Sequence, residues 1–148
     1  MARRLHALRN PAVLLKLDIS KAFDSVQWPF LLEVLHQFGF GRKWRAWIYG
    51  ILDTSTTKVM ANGEPGETIY NYKGMRQGDS LSPMLFILTM EPLQRMFEVA
   101  VRKQVLEPLA WTGVRQRMSI YADDVVLFVR SRLVELAACR AIFEMFGE

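Results

Sequence analysis

Two adjacent carboxylates, Asp123 and Asp124, stand in the stretch SIYADDVVLF, residues 119–128. The residues before them and the apolar run Val125 to Phe128 after them both have strand character, so the acids sit at a hairpin. A solvated turn is one explanation, since Asp side chains bond nearby backbone N–H groups. A two-residue hairpin loop needs positive φ and favours Asn-Gly or Asp-Gly, which Asp-Asp satisfies poorly. A third acid, Asp18, stands in the short apolar run Val13 to Ile19. Unpaired carboxylates in apolar surroundings are costly, and a fold seldom keeps them idly. Adjacent strands of one sheet would gather all three acids, and like charges so gathered disfavour each other's ionised form unless a cation neutralises them. Hard oxygen donors suit Mg²⁺, which takes a few carboxylates and completes its shell with water and substrate phosphate. Two such ions about 3.5–4 Å apart serve phosphoryl transfer by activating an attacking oxygen and stabilising a leaving one. Taken alone, these residues fit either the turn or the metal site.

The elements that must position the acids follow from periodicity and punctuation. Val13–Ile19 reads as a short buried strand. Pro29 suits the first turn of a helix, Leu31, Val34, Leu35 and Phe38 repeat at helical spacing, and Gly39 ends it. Trp44, Trp47, Ile48 and Ile51 form a second helical stripe. Thr56 to Ala61 predicts a strand, with a turn at Asn62-Gly63 and Pro65-Gly66 and a returning strand over Glu67 to Lys73. Gly74 to Leu81 is a loop, and Ser82-Pro83 opens a long helix. That helix is apolar on nearly every side from Met84 to Met90, which predicts burial, and Pro92 should kink or restart it. The Asp123-Asp124 hairpin follows, then a last helix from about Ser131. Strands alternating with helices predict an α/β (α+β) chain in which helices cover a sheet.

Composition bounds the reading without deciding it. The 148 residues suit one domain with a real core, and 51% hydrophobic content excludes disorder. No apolar run approaches the roughly 18 residues of a membrane span. Cys139 is the single cysteine and cannot form an internal disulfide, which favours a reducing, intracellular setting, nucleus or cytoplasm. The net charge of +4 suits a polyanionic partner without requiring one. Arg3, Arg4, Arg9 and Lys16 precede the first acid and read as an ordinary solvated helix, a piece of a longer protein cut short, a basic arm or a weak transit-like feature. Isolated His6 and His36 make no zinc pattern. Trp28, Trp44, Trp47 and Trp111 read as packing residues in preference to base-stacking ones. Arg42, Lys43 and Arg45 read as a solvated basic face.

Three segments in order, KLDISKAFDSVQW (16–28), GMRQGDSLSPMLF (74–86) and YADD (121–124), resemble successive palm motifs of reverse transcriptases. The connections WPFLLEVLHQFGF and NGEPGETIYNYKGMRQGD are similar to those of non-LTR, LINE-type retrotransposons, with plant elements the nearest in character. The resemblance runs from about Val13 to Phe146. It implies a polymerase palm: an antiparallel sheet bearing the catalytic hairpin, packed by helices on one face. It implies RNA-directed DNA synthesis, with an RNA template, a DNA primer and dNTPs as partners, no membrane, and two Mg²⁺ or Mn²⁺ ions as cofactors. Asp18, Asp123 and Asp124 match the catalytic, metal-binding acids, with Asp124 the least direct, and the backbone carbonyl of Ile19 matches a further metal ligand.

The remaining matches concern nucleotide and primer. The N–H groups of Lys21 and Ala22 match positions that receive the triphosphate. Phe23 matches the aromatic that closes the sugar pocket against a 2′-OH, although periodicity alone favours simple packing for it. Gln77 and Gly78 match a loop that touches nucleotide and template; Gly permits close backbone approach and Gln both donates and accepts. Without the resemblance they are equally a loop before a helix. Tyr121 matches a residue near the primer end, with strand packing as the alternative. Ser80 departs from the Pro common at that position. On this resemblance residues 1–148 form one partial domain, a palm with a minor portion of the fingers, and most of the fingers and the thumb are expected to be absent. Two functions follow: a polymerase palm, or a truncated retroelement relic with residual metal or nucleic-acid binding and no turnover.

Overall fold

The computed structural model describes residues 12–109, 117–121 and 124–147. In chain order its elements are β1 (Ala12–Asp18), α1 (Ala22–Ser25), α2 (Trp28–Gln37), α3 (Arg42–Asp53), β2 (Thr56–Ala61), β3 (Glu64–Tyr70), α4 (Ser82–Arg102), β4 (Met118–Tyr121), β5 (Asp124–Arg130) and α5 (Leu133–Gly147). The chain is thus mixed α/β, with antiparallel sheets. Its contacts divide it into two compact units, Lys21–Thr89 and the pair of segments Met1–Ser20 with Met90–Glu148. Among the described residues no helix is long and apolar enough to cross a membrane.

The two-segment unit holds a three-stranded antiparallel sheet in the order β1-β5-β4. Its register runs from Ala12 opposite Arg130 to Asp18 opposite Asp124, and from Met118 opposite Leu127 to Tyr121 opposite Asp124. Cross-strand partners share a face. Val13, Leu15 and Leu17 therefore lie on the face of Val125, Leu127 and Val129, three of the most deeply buried residues in the chain. Helix α5 packs on β5, and its buried Glu135, Cys139 and Ile142 recur at helical spacing. Phe143 of α5 meets Phe97 of α4 edge-on at 5.5 Å. The opposite face carries Leu14, Lys16, Asp18, Ser119 and Tyr121, all exposed, and the buried Phe128 opposite Leu14. The apolar run of β1 predicts a wholly buried strand, but Leu14 is 48% exposed. An antiparallel sheet can leave one face in water, and β1 alternates accordingly.

In the second unit α2 buries Trp28, Leu31, Val34 and Leu35 and packs against α3. Gly39, at φ +83°, closes α2. The N–H of Gly39 reaches the carbonyl of His36, and that of Phe40 the carbonyl of Leu35, the paired bonds of a Schellman ending. Helix α3 buries Ile48 and Leu52. Trp47 is 67% exposed and Ile51 51% exposed, so the predicted stripe is rotated and Trp47 is not a packing residue. Trp28 is buried, Trp44 stacks on Phe40 at 4.5 Å, and Trp111 lies outside the described residues.

Strands β2 and β3 form a separate hairpin. Ala61 pairs with Glu64 across Asn62-Gly63, whose φ values are 52° and 86°, as a type I′ loop requires. Pro65-Gly66, predicted in the turn, lies within β3. The register shifts between Lys58 and Met60, and a Cβ on Gly66 would stand 3.0 Å from the Val59 carbonyl. A bulge thus absorbs the residues that read as turn.

Helix α4 runs continuously through Pro92, so the predicted restart does not occur. Nor is its first half buried all round. Leu85, Phe86, Thr89 and Met90 are buried while Met84 and Ile87 are 65% and 58% exposed. One stripe faces the interior, and the apolar residues off that stripe meet solvent.

Candidate active site

The acids belong to the two-segment unit. Asp18 ends β1 and Asp124 begins β5, and the register sets them directly opposite one another. Antiparallel partners have Cα atoms about 4.5–5.5 Å apart and side chains on one face. Here that face is the solvated one: Asp18 is exposed and Asp124 half-exposed. Like charges directly opposite repel. Lys16, two residues before Asp18 and therefore on the same face, relieves part of this through an ion pair of 3.0 Å from Nζ to Oδ1 of Asp124. Tyr121 pairs with Asp124 from the other side and is 84% exposed. Strand packing is thereby excluded as the role of the Tyr121 side chain. Ile19 follows β1 and is partly buried.

Asp123 lies outside the described residues. Among the described residues no group of three or more His, Cys, Asp or Glu side chains is placed to hold a metal ion. What is placed is a pair of hard oxygen donors, Asp18 and Asp124, on an open face. That donor set fits Mg²⁺ or Mn²⁺, which bind through one or two carboxylates and complete their shells elsewhere.

Lys21, Ala22, Phe23, Gln77 and Gly78 belong to the other unit. Lys21 takes the left-handed conformation, φ 53°, at the start of the short α1. Such φ is uncommon for a residue with a Cβ. The Ser25 N–H returns to the Lys21 carbonyl and its hydroxyl to that of Ala22, so a single helical turn is closed on itself. Phe23 is partly buried, its ring 5.0 Å from that of Phe86.

Three hydrogen bonds join this turn to the loop that carries Gln77. The Met75 N–H donates to the Phe23 carbonyl at 2.8 Å and the Gly74 N–H to the Val26 carbonyl at 2.7 Å. The Trp28 indole N–H donates to the Gly74 carbonyl at 2.7 Å. Gly74 has φ +81°, and a Cβ there would come within 2.8–2.9 Å of the Asp24 backbone. Only glycine fits both demands. Gln77 and Gly78 follow in an exposed turn, with Gly78 at φ +87°. Asp79 then accepts the Leu81 N–H at 3.1 Å just before α4 begins.

Two features have no counterpart in the sequence reading. Lys16 could have been found from parity, since residues i and i+2 of a strand share a face. Glu135 could not. It is 3% exposed and takes hydrogen bonds from the N–H groups of Glu107 and Arg130 and from the Arg117 guanidinium. Burial pushes its carboxyl up, but the Arg117 guanidinium and the two N–H groups outweigh this and hold it below the ordinary glutamate range.

The family model for reverse transcriptase (RNA-dependent DNA polymerase) matches residues 2–148. The chain is 28% identical over 131 residues to a Pol polyprotein from type-2 retrotransposable element R2DM of Drosophila melanogaster, covering 88% of this chain and 12% of that protein. It is 30% identical over 118 residues to a Pol polyprotein from type-1 retrotransposable element R2 of Nasonia vitripennis, covering 78% of this chain and 11% of that protein. It is 31% identical over 134 residues to a transposon TX1 protein of Xenopus laevis, covering 90% of this chain and 10% of that protein. The chain thus spans about a tenth of the length of these relatives. Asp18 and Asp124, paired in register on an open sheet face, sit in a chain that belongs to the reverse transcriptase (RNA-dependent DNA polymerase) family, of the non-LTR retrotransposon type.

Proposed function

We propose that this chain is the palm of an RNA-directed DNA polymerase, acting on a primer 3′-OH and a dNTP over an RNA template. The observation that carries the reading is the register pair Asp18–Asp124 on a solvated sheet face. Asp18 and Asp124, with Asp123 and the Ile19 carbonyl, would hold the divalent ions, and these would supply charge neutralisation at the reacting phosphate. The sheet holds the carboxylates rigid while leaving them open to a large substrate. Lys16 holds the Asp124 carboxylate in place through its 3.0 Å ion pair. Phe23, supported by the Phe86 ring, would lie under the sugar and deny space to a 2′-OH. Gln77 would meet the nucleotide and template edge, held in place by the bonds that tie Gly74 and Met75 to residues 23–28. The exposed Tyr121 would lie beside the primer end.

The test exchanges residues 12–147 for the matching segment of the Drosophila R2 polyprotein and measures primer extension on RNA with dNTPs and Mg²⁺. Extension by the chimera, lost in its Asp18→Asn and Asp123→Asn forms, is the expected result. Since positioning supplies on the order of 7–11 kcal/mol of such a barrier, the 148-residue chain by itself should extend a primer weakly or not at all. A folded chimera that extends equally well with Asp18→Asn would overturn the assignment.

A further inference from the structure

The C-terminal half of α4 and the entry to β4 line a cavity of about 280 Å³, which lies wholly within the two-segment unit. Gln94, Phe97, Glu98, Val101 and Arg102 are spaced three and four apart and so share one face of the helix. Arg117 and Met118 complete the lining. Met118 pairs with Leu127, so its side chain takes the buried face of the sheet and not the face of Asp18 and Asp124.

Arg117 sets this cavity apart. Its side chain is only 4% exposed. Nη1 is committed to the Glu135 carboxylate at 3.1 Å, with the Phe128 carbonyl at 3.5 Å. Nε and Nη2 together form the side-on fork of the guanidinium. Both are buried and, among the described residues, without a hydrogen-bond partner. A buried charged donor left unbonded is costly, so the fork calls for an acceptor. A water fills about 30 Å³ and needs polar partners around it. This cavity is several times larger, and Phe97, Val101 and Met118 give it an apolar wall. Its rim is polar: Glu98 and Arg102 are exposed. Among the described residues the side chains of Gln94, Glu98 and Arg102 make no hydrogen bond or ion pair.

We infer that this cavity binds a small organic carboxylate, its two oxygens on the Arg117 Nε–Nη2 fork and its apolar body against Phe97, Val101 and Met118. A planar carboxylate matches a guanidinium fork two bonds at a time. Charge selects a monoanion. Glu135 already offsets Arg117, and Glu98 offsets Arg102, so a phosphate dianion brings more negative charge than the site can balance. Size selects a small molecule, since the cavity falls just below the range of drug-sized sites. Seated there, the carboxylate completes the guanidinium that holds Glu135, and so stiffens the β4–β5 hairpin from the face that does not carry Asp124. None of this depends on the polymerase reading.

Isothermal titration calorimetry of the whole chain with hexanoate and benzoate tests the site. Hexanamide and benzamide serve as neutral isosteres, inorganic phosphate as the dianion, and N-acetyl-dileucine as a carboxylate on a peptide terminus. Hexanoate or benzoate should bind saturably at one site, and the urea midpoint should rise with its concentration. The amides, which lose the charge-assisted bonds, should bind roughly 10- to 100-fold more weakly. Arg102→Gln should weaken binding several-fold and Glu98→Gln should tighten it; both residues are exposed, so neither change threatens the fold. Arg117→Met alone would strand the buried Glu135, so it is paired with Glu135→Leu, and in that double variant binding should vanish from a folded chain. The amides and Arg102→Gln decide the matter even where the double variant does not fold. No saturable binding, equal affinity for acid and amide, or wild-type affinity in Arg102→Gln or in the folded double variant would overturn the inference. Tighter binding of phosphate or of the dipeptide would overturn its choice of ligand.

Discussion

Asp18 and Asp124 are register partners on antiparallel strands, and the Lys16 ammonium sits 3.0 Å from a carboxylate oxygen of Asp124. On the proposed polymerase reading, the lysine and a divalent cation would compete for one acid. Mn²⁺ binding is expected to be weak, because substrate phosphates normally complete the shell, and Asp18→Asn and Asp124→Asn should each weaken it further. Lys16→Met should strengthen it, since two opposed carboxylates are left without their counter-charge. The exposed pair contributes at most about 1 kcal/mol to stability, so Lys16→Met should unfold close to wild type. Mn²⁺ titration followed by electron paramagnetic resonance reads all three. Tighter binding in Asp18→Asn than in wild type would remove the pair from the metal site.

Gly74→Ala should cost at least about 2 kcal/mol, from a left-handed φ disfavoured for any residue with a Cβ and from contact with the Asp24 backbone. Backbone atoms cannot swing aside as a side-chain tip can. Urea denaturation should show a lower midpoint with unchanged slope. Gly39→Ala meets nothing within 4 Å at φ +83° and should cost less. Equal costs at the two positions would show that φ alone, and not the clasp on Asp24, constrains residue 74.

Cys139 is buried on α5, and burial pushes its thiol up to about 11. A neutral, enclosed thiol is a poor nucleophile. At pH 8 the native chain should react with a thiol reagent only as fast as it opens, and at once in denaturant. Because the folded pKa is raised, folding keeps this contribution below the unfolded thiol pKa and loses it as pH rises toward 11. Prompt stoichiometric labelling of the native chain would contradict the packing of α5 on β5.

The elements were legible because each carries a local signal. Asn62-Gly63 announced its hairpin, Gly39 its helix end, and the apolar run Val125 to Phe128 its strand. What was not legible depends on neighbours distant in sequence. Nothing in Met84 to Met90 distinguishes Met84 and Ile87 from Leu85 and Phe86, since all are apolar; only the packing decides which stripe turns inward. Trp47 and Ile51 were assigned to a core stripe one position off for the same reason. Lys16 was readable from parity once Asp18 was placed. Glu135 looks like a solvated helix acid, because its partners Arg117, Arg130 and Glu107 come from other parts of the chain. The roles of Phe23, Gln77 and Tyr121 came from family resemblance. Periodicity would have packed Phe23 and Tyr121 alike, whereas Tyr121 is open and Phe23 only partly covered.

Glu135 ties both strands of the β4–β5 hairpin to the helix behind it. Its carboxylate takes the N–H of Arg130 at the end of β5 and the guanidinium of Arg117 just before β4, 3.1 Å each. Arg117 also donates from Nη1 toward the Phe128 carbonyl at 3.5 Å, and its Nε and Nη2 are buried without hydrogen-bond partners among the described residues. Removing the carboxylate therefore leaves a buried guanidinium with almost nothing to satisfy it. Glu135→Gln should destabilise by about 3–5 kcal/mol, the cost of an orphaned buried charge. Replacing both groups, Glu135→Leu with Arg117→Met, should recover much of that loss. The pH dependence has a definite sign. The folded carboxyl lies below its ordinary range, so the unfolded chain binds the proton more readily, and the contribution of Glu135 is present at neutral pH and lost as pH falls through the folded pKa. Urea midpoints of wild type and Glu135→Gln should differ most at neutral pH and converge in acid. The register of β5 is at stake as well, since a one-residue slip would turn Asp124 away from the face of Asp18. Glu135→Gln should accordingly lower Mn²⁺ affinity even where the chain remains folded, and the double replacement should restore stability without fully restoring that affinity. Parallel midpoints at every pH, or full Mn²⁺ affinity in a destabilised Glu135→Gln, would reduce Glu135 to a packing residue with no part in aligning the acids.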